Sequence, residues 1–464
     1  MKTDFASLPL SAEFLDNITA LGYEKMTPIQ AQSLPVMLQN KDLLAQAQTG
    51  SGKTAAFGIA LLHKLHTQAN QTQALVLCPT RELADQVSKE LRRLARAIPN
   101  TRILTLCGGS PIKAQYASLE QPPHIVVGTP GRTLKHLEKG SLQLHTLTTL
   151  VLDEADRMLD MGFQEDMLRI IDMTPWQRQT LLFSATYPEQ IQTISKTVQN
   201  QPEQIRLEQL HDNKKIKQVF YEIQKGERTK TLVAVLHHYR PESTVVFCNR
   251  KFQCQELADE LWQQGFHALA LHGDLEQKER DQVLTQFANK SSSLLIATDV
   301  AARGLDIKEL QAVINFDMAN EAEVHVHRIG RTGRADKEGL AISLFMANEI
   351  HRVKAIEDYQ NSPVTMESTT QLKLRDNFRL SPPMVTLSVN GGRKDKLRPG
   401  DILGALTANT AASNTQLNGK MIGKIDLFDN IAYIAVERPI AKQAVKILTE
   451  GKIKGRKFKV RRLR

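Results

Sequence analysis

Ten short apolar runs, spaced by helix-length amphipathic segments, constrain the fold of this 464-residue chain more than any other feature of its sequence. Five runs lie in the first half of the chain, at 74–77, 103–106, 125–127, 147–152 and 181–183. Five more lie in the second half, at 245–247, 268–271, 294–297, 312–315 and 340–345. This alternation is typical of buried parallel strands joined by crossover helices. Two such sets in series predict an α/β chain with two tandem doubly wound parallel-sheet domains.

The pattern changes after the dipeptide Pro382-Pro383. We predict strands at 386–389, 421–428, 431–436 and 458–460, and helices at 399–409 and 439–450. The order βαββαβ in fewer than 80 residues is that of a small α+β, RNA-recognition-like fold. The predicted domains are therefore 1–207, 219–362 and 385–464, joined by polar linkers at 208–218 and 363–384.

The net charge of +10 is concentrated near the C-terminus, where residues 371–464 contain 20 Lys+Arg against 7 Asp+Glu. A basic piece on a nearly neutral body indicates a module that binds a polyanion, although a basic surface kept for solubility is the alternative. No apolar stretch approaches the roughly 20 residues of a membrane span, so we expect no membrane partner. The four scattered cysteines lack metal-ligand spacing and are expected to be buried thiols of a cytoplasmic protein.

A phosphate-binding loop lies between the apolar Leu43-Leu44 and a helical segment. It departs from Gly-x-x-x-x-Gly-Lys-Thr at the first glycine, which is Ala47. Its backbone amides would face phosphates, Lys53 would neutralise them and Thr54 would reach magnesium. The predicted nucleotide-binding residues of this loop are Gln48, Thr49, Gly50, Ser51, Gly52, Lys53 and Thr54.

Two adjacent carboxylates, Asp153 and Glu154, follow the apolar run 147–152. At the tip of a strand, Asp153 would hold Mg²⁺, partly through water, and Glu154 would orient or deprotonate the attacking water. Two acids at a strand end are often only a helix cap, so this assignment depends on the phosphate loop. Together the two motifs predict nucleotide hydrolysis.

Arginines at three-residue steps occur in the second half, in the sequence His-Arg-Ile-Gly-Arg-Thr-Gly-Arg at 327–334. Guanidinium groups stabilise the charge on a transferring phosphoryl group. We therefore assign Arg331 and Arg334 to catalysis with Lys53, Asp153 and Glu154, in a site that is complete only when the two domains close. An exposed basic loop is the alternative.

The motifs in this order resemble those of DEAD-box ATP-dependent RNA helicases, over residues 1 to about 370. The first domain has Phe5, Gly-Tyr-Glu-Lys-Met-Thr-Pro-Ile-Gln at 22–30, the phosphate loop, Pro-Thr-Arg-Glu-Leu-Ala at 79–84, Gly-Gly at 108–109, Thr-Pro-Gly-Arg at 129–132, Asp-Glu-Ala-Asp at 153–156 and Ser-Ala-Thr at 184–186. The second has Val-Val-Phe-Cys-Asn-Arg at 245–250, Gln277 with Arg280, Thr-Asp-Val-Ala-Ala-Arg-Gly-Leu-Asp at 298–306 and the arginine motif.

The resemblance implies two RecA-like domains that bind ATP and Mg²⁺. Gln30 would read the adenine edge, Phe5 would pack on its ring and Asp306 would contact the ribose. Coupling between the ATP side and the RNA side is assigned to Asp156, Ser184, Thr186 and His327. RNA backbone contacts are assigned to loops at strand ends: Arg81, Gly109, Thr129 and Arg132 in the first domain, and Arg250, Gly273, Gln277, Arg280 and Thr298 in the second.

Residues 385–464 resemble the RNA-binding domain of the DbpA group of these helicases, through 388–402 and 452–458. That group acts on a hairpin of large-subunit (23S) ribosomal RNA in ribosome assembly, so the implied partners are this hairpin with its adjoining duplex and a pre-ribosomal particle. Aromatic residues for stacking are sparse on the predicted strands, where only Tyr433 is available. We expect basic residues to bind the RNA instead: Arg393, Lys394, Lys396, Arg398, Lys420, Lys424 and the tail 452–464.

The sequence therefore predicts a monomeric, cytoplasmic ATP-dependent RNA helicase that hydrolyses ATP in response to RNA and unwinds short structured RNA. An ATP-gated RNA clamp or scaffold that does not unwind would share every motif. A DNA helicase of the same superfamily is a further alternative, which the adenine motif and the C-terminal domain disfavour.

Overall fold

The computed structural model describes residues 3–47, 50–187, 189–207, 216–302, 310–333, 338–373, 380–407 and 417–463. These residues fall into two compact units, one ending at 207 and the other beginning at 216. The second unit contains both the second α/β domain and the small C-terminal domain.

A seven-stranded parallel sheet organises the first unit. Its strands are β1 (Leu43–Gln46), β2 (Ala74–Leu77), β3 (Ile103–Leu106), β4 (Ile125–Gly128), β5 (Thr149–Leu152), β6 (Gln179–Ser184) and β7 (Glu203–Arg206), in the order β3-β4-β2-β5-β6-β1-β7. Its helices are α1 (Ala12–Ala20), α2 (Pro28–Leu38), α3 (Lys53–His63), α4 (Arg81–Leu94), α5 (Ile112–Leu119), α6 (Pro130–Glu138), α7 (Ala155–Asp160), α8 (Gln164–Asp172) and α9 (Glu189–Val198).

The first sheet is buried on both faces because helices cover each side. Alternate residues of one strand enter different apolar clusters: Ala74 and Val76 pack on one side of the sheet, and Leu75 and Leu77 on the other. This explains why its strands are continuous apolar runs rather than alternating ones. It also places every β-to-α loop of the unit at the carboxyl edge of the sheet, where ligands bind in open α/β folds.

A second seven-stranded parallel sheet follows, in the order β10-β11-β9-β12-β13-β8-β14. Its strands are β8 (Ile216–Glu222), β9 (Thr244–Phe247), β10 (Ala268–Leu271), β11 (Leu294–Ala297), β12 (Ala312–Asn315), β13 (Gly339–Phe345) and β14 (Thr365–Glu367). Its helices are α10 (Arg228–Tyr239), α11 (Lys251–Gln263), α12 (Gln277–Ala288), α13 (Asp299–Ala302), α14 (Ala322–Ile329) and α15 (Ile350–Gln360).

The C-terminal domain has the predicted βαββαβ order. It comprises β15 (Met384–Val389), α16 (Pro399–Thr407), β16 (Ile422–Leu427), β17 (Ala432–Glu437), α17 (Ala441–Glu450) and β18 (Val460–Arg462), with an antiparallel sheet in the order β16-β17-β15-β18. The apolar face of this sheet, which includes Leu387, Ile434 and Val436, packs on α16 and α17. The predicted fold class is thereby confirmed for all three domains.

Edge strands account for most differences from the sequence prediction. Residues 216–218 begin β8, although their polar composition predicted a linker, because this end of the strand is only half buried. Strand β14 lies inside the second predicted linker and pairs with β8 at the rim of the sheet. The last strand begins at Val460 rather than 458, and its two arginines are exposed. Exposed edge strands lack the apolar run by which buried strands are found.

The C-terminal domain docks on the second α/β domain through a buried polar cluster. The Thr386 Oγ1 accepts a hydrogen bond from the Asn289 Nδ2 at 2.9 Å and contacts the Ser291 Oγ at 2.8 Å. The backbone N–H of Met384 donates to the Lys290 carbonyl at 3.3 Å. Because all three polar side chains are buried and bonded to one another, this contact fixes how the C-terminal domain sits on the second α/β domain.

Candidate functional site

The phosphate loop joins β1 to α3, as the sequence predicts. Gly50 and Gly52 have φ values of 87° and 95°, in the left-handed region that favours glycine. A Cβ added at Gly52 would also lie 2.7 Å from the Gln30 Nε2, so a larger residue would displace the Gln30 side chain. The loop thus presents the N-terminus of an eleven-residue helix, where free amides bind anions. Gln48 and Thr49 lie outside the described residues, and Ser51 and Thr54 are half-buried beside the loop.

Lys53, the first residue of α3, contacts the carboxylates that follow β5. Its Nζ lies 3.2 Å from the Asp153 Oδ1 and 3.8 Å from the Glu154 Oε1. Burial alone would lower the pKa of Lys53, but the carboxylates of Asp153 and Glu154 raise it above its ordinary value. The lysine is therefore held charged at the mouth of the loop, as phosphate binding requires.

Asp153 is suited to a divalent cation. Its side chain is fully buried, and neither carboxylate oxygen has a hydrogen-bond partner among the described residues, because the Lys53 contact is an ion pair without hydrogen-bond geometry. Burial raises the pKa of Asp153, with Lys53 opposing that effect and Glu154 adding to it. Lys53 compensates part of this buried charge, and the carboxylate oxygens without a hydrogen bond remain open to a divalent cation.

Thr54, the second residue of α3, is the hydroxyl that would complete the magnesium ligands. The described residues contain no group of three or more His, Cys, Asp or Glu side chains placed to hold a metal. This donor set fits Mg²⁺, which commonly uses one or two protein carboxylates together with nucleotide phosphates and water.

Glu154 is held in an unusual backbone conformation by an arginine. Its φ of 54° places a non-glycine residue in the left-handed region, at the turn between β5 and α7. The Arg157 Nη1 donates to the Glu154 Oε2 at 2.7 Å, and both side chains are buried. Strained, over-determined backbone of this kind is typical of functional sites.

Asp156 connects the acidic turn to the segment 184–186 by hydrogen bonds. Its Oδ2 accepts hydrogen bonds at 3.1 Å from the backbone amides of Ala185 and Thr186 and from the Thr186 hydroxyl. The Ser184 carbonyl accepts from the Ala47 amide at 2.8 Å, at the start of the phosphate loop. One carboxylate therefore links the end of β6 to the residues predicted to bind ATP.

The two predicted adenine contacts are both buried. The Gln30 Oε1 accepts from the Thr27 amide at 2.9 Å, and the Gln30 Nε2 donates to the Gly52 carbonyl at 3.0 Å. Gln30 thus closes the N-terminal cap of α2 and supports the phosphate loop. To contact adenine, the Gln30 amide would have to give up its hydrogen bonds to Thr27 and Gly52. Phe5 lies in the apolar core beside Tyr23.

The first set of predicted RNA-binding residues gathers at the carboxyl edge of β2, β3 and β4. Arg81 begins α4 and lies over Gly108, because a Cβ added at Gly108 would meet the Arg81 guanidinium at 2.8 Å. Thr129 caps α6, and the Arg132 Nη1 donates to the Ser110 carbonyl at 3.1 Å. Gly109, between these segments, has a φ of 77°. Three sequence-distant motifs therefore share one surface.

Arg132 is positioned by a buried residue that the sequence analysis missed. The Gln115 Oε1 lies 2.7 Å from the Arg132 Nη1 and 2.9 Å from the His136 Nε2, while the Gln115 Nε2 donates to the Cys107 carbonyl at 3.0 Å. Burial, then the nearby cations Arg132 and Lys135, lower the pKa of His136. No motif marks Gln115, since its role depends on contacts between elements.

The second set lies at the carboxyl edge of β9, β10 and β11. Arg250 caps α11 and is exposed, and Gly273 follows β10. The Arg280 Nη1 donates to the His272 carbonyl at 3.3 Å, and the Gln277 Nε2 donates to the Asp281 Oδ1 at 2.9 Å. Thr298, after β11, is buried and caps α13 through a contact of its hydroxyl with the Ala301 amide.

Arg328 of the arginine motif makes structural contacts, and Arg331 is buried as well. Arg328 is buried and forms a double ion pair with Asp299, both contacts measuring 2.7 Å, and also donates to the Asn249 Oδ1 at 2.8 Å. It therefore holds the segments 298–302 and 249–250 together. Arg331 follows α14, His327 is half-buried on it, and Asp306 and Arg334 lie outside the described residues.

A histidine on the same helix is buried without charge. His325 is fully buried between Asn315 and Gln218, whose nearest side-chain atoms lie 3.4 Å from its ring nitrogens. Burial, with Arg328 as a smaller cause, lowers the pKa of His325 to about 3.

The predicted basic residues of the C-terminal domain are exposed. Loop 390–398 meets the turn at 428–429 and the segment 454–459: the Arg393 amide donates to the Phe428 carbonyl at 2.9 Å, and the Lys454 Nζ donates to the Lys396 carbonyl at 2.8 Å. The exposed basic residues of the predicted loop and tail, with the two lysines between them, are Arg393, Lys394, Lys396, Arg398, Lys420, Lys424, Lys452, Lys454, Arg456, Lys457, Lys459, Arg461 and Arg462. They form the loop and tail surface expected from the sequence.

Tyr433 corrects the sequence prediction, because its side chain is only 1% exposed and cannot stack on RNA in this arrangement. It packs against Phe428, Ile431 and Leu463 on the sheet face opposite α16 and α17. Thr386 on the same face binds the second α/β domain. The tertiary contact thus covers the face on which RNA-recognition folds usually stack bases.

Comparison with known proteins decides the family. The DEAD/DEAH box helicase profile matches residues 27–194, the helicase conserved C-terminal domain 224–336, and the DbpA RNA binding domain 386–462. The ATP-dependent RNA helicase DbpA of Escherichia coli is 51% identical over 457 residues, covering 97% of each chain. This chain is a DEAD-box ATP-dependent RNA helicase.

Other DEAD-box helicases support the same assignment. The DEAD-box ATP-dependent RNA helicase CshA of Geobacillus kaustophilus is 42% identical and covers 84% of this chain and 81% of its own. The structure of S. cerevisiae Dbp5 bound to RNA and ADP BeF3 has a TM-score of 0.72 at 30% identity, covering 79% of this chain and 96% of that chain. None of the helices that the structure describes is long and apolar enough to span a membrane.

Proposed function

We propose that this DEAD-box helicase uses RNA-stimulated ATP hydrolysis to unwind short structured RNA, and that its C-terminal domain directs it to large-subunit (23S) ribosomal RNA during ribosome assembly. The observation that carries the targeting is the exposed basic surface of the C-terminal domain, together with the buried, unavailable face of its sheet. In this proposal the enzyme works as a cytoplasmic monomer on a pre-ribosomal particle.

Hydrolysis depends on the residues around Lys53. The helix N-terminus and Lys53 bind the phosphates of ATP, and Asp153 and Thr54 hold Mg²⁺, which when bound neutralises charge on those phosphates. Glu154, fixed by Arg157, orients the attacking water and takes its proton. Arg331, with Arg334, stabilises the charge on the transferred phosphoryl group.

Coupling to RNA follows from the contacts of Asp156. A shift at the acidic turn reaches segment 184–186 through three hydrogen bonds to one carboxylate oxygen. RNA stimulates hydrolysis because RNA and ATP favour the same arrangement of the two RecA-like domains.

A Glu154→Gln variant tests the chemistry. It should retain binding of ATP and RNA and lose turnover by about 10²-fold or more, the usual contribution of general-base catalysis. ATPase activity equal to that of the parent would overturn the role of Glu154. A strand-displacement assay on a short duplex separates unwinding from ATP-gated gripping.

Targeting is best tested in the full-length chain, because removal of residues 385–464 would expose the buried Asn289 and Ser291. Lys394→Gln/Lys396→Gln should reduce ATPase stimulation by 23S ribosomal RNA but leave stimulation by poly-adenylate intact. The salt dependence of 23S binding should become shallower by about one to two in log–log slope. Lys442→Gln/Lys446→Gln, on the exposed face of α17, is the matched control. Equal effects of the two double variants would show that the loop 390–398 is not the part of the domain that binds the RNA.

A further inference from the structure

An exposed aromatic side chain lies beside the predicted RNA contacts of the second RecA-like domain. Phe252 is the second residue of α11, which begins at the carboxyl edge of β9, and its side chain is 59% exposed. A single exposed phenylalanine needs no special explanation by itself. Its neighbours are what give it a role.

One cationic group contacts this ring, and a second cationic residue precedes it in the chain. The Arg250 guanidinium lies 6.0 Å from the Phe252 ring centroid, at the outer limit of a cation–π contact. The Lys251 Nζ pairs with the Asp274 Oδ1 at 2.8 Å, and a Cβ added at Gly273 would lie 3.4 Å from the Lys251 Cε. The loops after β9 and β10 therefore meet next to Phe252, and both carry residues assigned to RNA phosphates.

Other exposed aromatic residues occupy different surfaces. Among the described residues they are Trp176, between α8 and β6 at the amino edge of the first sheet, and Tyr359, near the end of α15. Phe252 alone of these three combines an exposed ring with cationic residues at a carboxyl edge. Interleaved aromatic and basic groups are the usual composition of a single-strand binding surface, where bases stack and phosphates pair.

We propose that Phe252 stacks on one base of the RNA strand whose backbone Arg250 and the Gly273 loop bind. The inference rests on the proposed RNA contacts of this domain and adds a base contact to a core expected to touch only backbone. Because every base has a π-face but purines have the larger one, the contact discriminates weakly, in favour of a purine at one position.

The test uses the full-length protein with ADP and beryllium fluoride and fluorescein-labelled decamers of adenylate. One decamer is intact, and ten others each carry a single abasic ribose at a different position. Dissociation constants are measured by fluorescence anisotropy for the parent and for Phe252→Ala, Phe252→Leu and Phe252→Tyr. Trp176→Ala is the matched control for the loss of an exposed aromatic ring.

We expect Phe252→Ala to bind the intact decamer about fivefold more weakly, the lower end of base–aromatic stacking at a partly exposed site. Phe252→Tyr should restore parental affinity, and Trp176→Ala should match the parent. Across the abasic series the parent should lose affinity most strongly at one position, and Phe252→Ala should lose that dependence.

Two results would overturn the proposal. One is that the parent and Phe252→Ala lose affinity by the same factor at each abasic position. The other is full affinity in Phe252→Leu, which would assign the contact to apolar area rather than to the ring. Arg250→Ala separates this failure from failure of the wider RNA assignment, since it should weaken binding to every decamer whether or not Phe252 stacks.

Discussion

Replacing Thr386 by valine should loosen the C-terminal domain from the second RecA-like domain without disturbing either core. Valine has nearly the shape of threonine but cannot bond to the Asn289 amide or the Ser291 hydroxyl. Both partners are buried, so each would lose its bond without gaining water.

The magnitude follows from which groups are left unpaired. The Asn289 Oδ1 keeps the Ser291 backbone amide at 3.2 Å, so the main loss is the Asn289 Nδ2 donor. A buried unsatisfied donor costs about 1–3 kcal/mol, and the Ser291 hydroxyl adds about 0.5–1 kcal/mol. The docked state should therefore lose roughly 1.5–4 kcal/mol, which raises the undocked population by about 10- to 700-fold.

Hydrogen exchange of the Met384 amide measures this population, since its hydrogen bond to the Lys290 carbonyl exists only while the domains are docked. Exchange of the Met384 amide should accelerate in Thr386→Val, and that of the β12 and β13 amides in the core of the second sheet should not. Ser388→Ala, on the same strand but bonded within its own sheet, is the control. Unchanged exchange in Thr386→Val, with both domains folded, would refute the argument that this buried polar cluster holds the C-terminal domain on the second RecA-like domain.

Three further outcomes are expected. Gly52→Ala should weaken ATP binding, because the left-handed φ strains an alanine and its Cβ would displace the Gln30 amide, whereas Gly140→Ala, strained but with open space around its Cβ, should not affect ATP binding; nucleotide titration measures both. Lowering the pH from 7 to 5 should reduce the free energy of unfolding of the parent by about 2 kcal/mol more than that of His325→Gln. Between pH 7 and pH 5 the histidine of the unfolded chain takes up a proton, whereas the folded His325, with its pKa lowered to about 3, stays neutral. The contribution of His325 to the free energy of unfolding is therefore present above the unfolded pKa and is lost as the pH falls below it. Gln115→Ala should weaken RNA binding by several-fold at unchanged ATP affinity, because Arg132 loses its 2.7 Å partner.

Each outcome has a result that would contradict it. Parental nucleotide affinity in Gly52→Ala would show that the loop tolerates a Cβ. Identical pH slopes for parent and His325→Gln would show that this histidine titrates normally when folded. A Gln115→Ala variant with parental RNA affinity would show that Arg132 does not need positioning.

Buried strands and ligand loops could be predicted because their signals are local. Strands β10, β11 and β12 match the predicted bounds residue for residue, since burial on both faces demands continuous apolar runs. Parallel topology then carries the loop after each strand to one edge, so that motifs remote in sequence, such as those of Arg81 and Arg132, meet without further information. The phosphate loop and the carboxylate pair at Asp153 were predictable for the same reason.

Side-chain partnerships between elements were decided only by the tertiary structure. Tyr433 has the pattern of a stacking residue, yet Phe428, Ile431 and Leu463 bury it, and the same sheet face binds a neighbouring domain through Thr386. Gln30 has the pattern of a base-reading amide, yet its two ends bond to Thr27 and Gly52. The periodicity of a chain reports which face of an element is apolar, but not which surface covers it, because that choice depends on shape and hydrogen bonding summed over residues far apart in sequence.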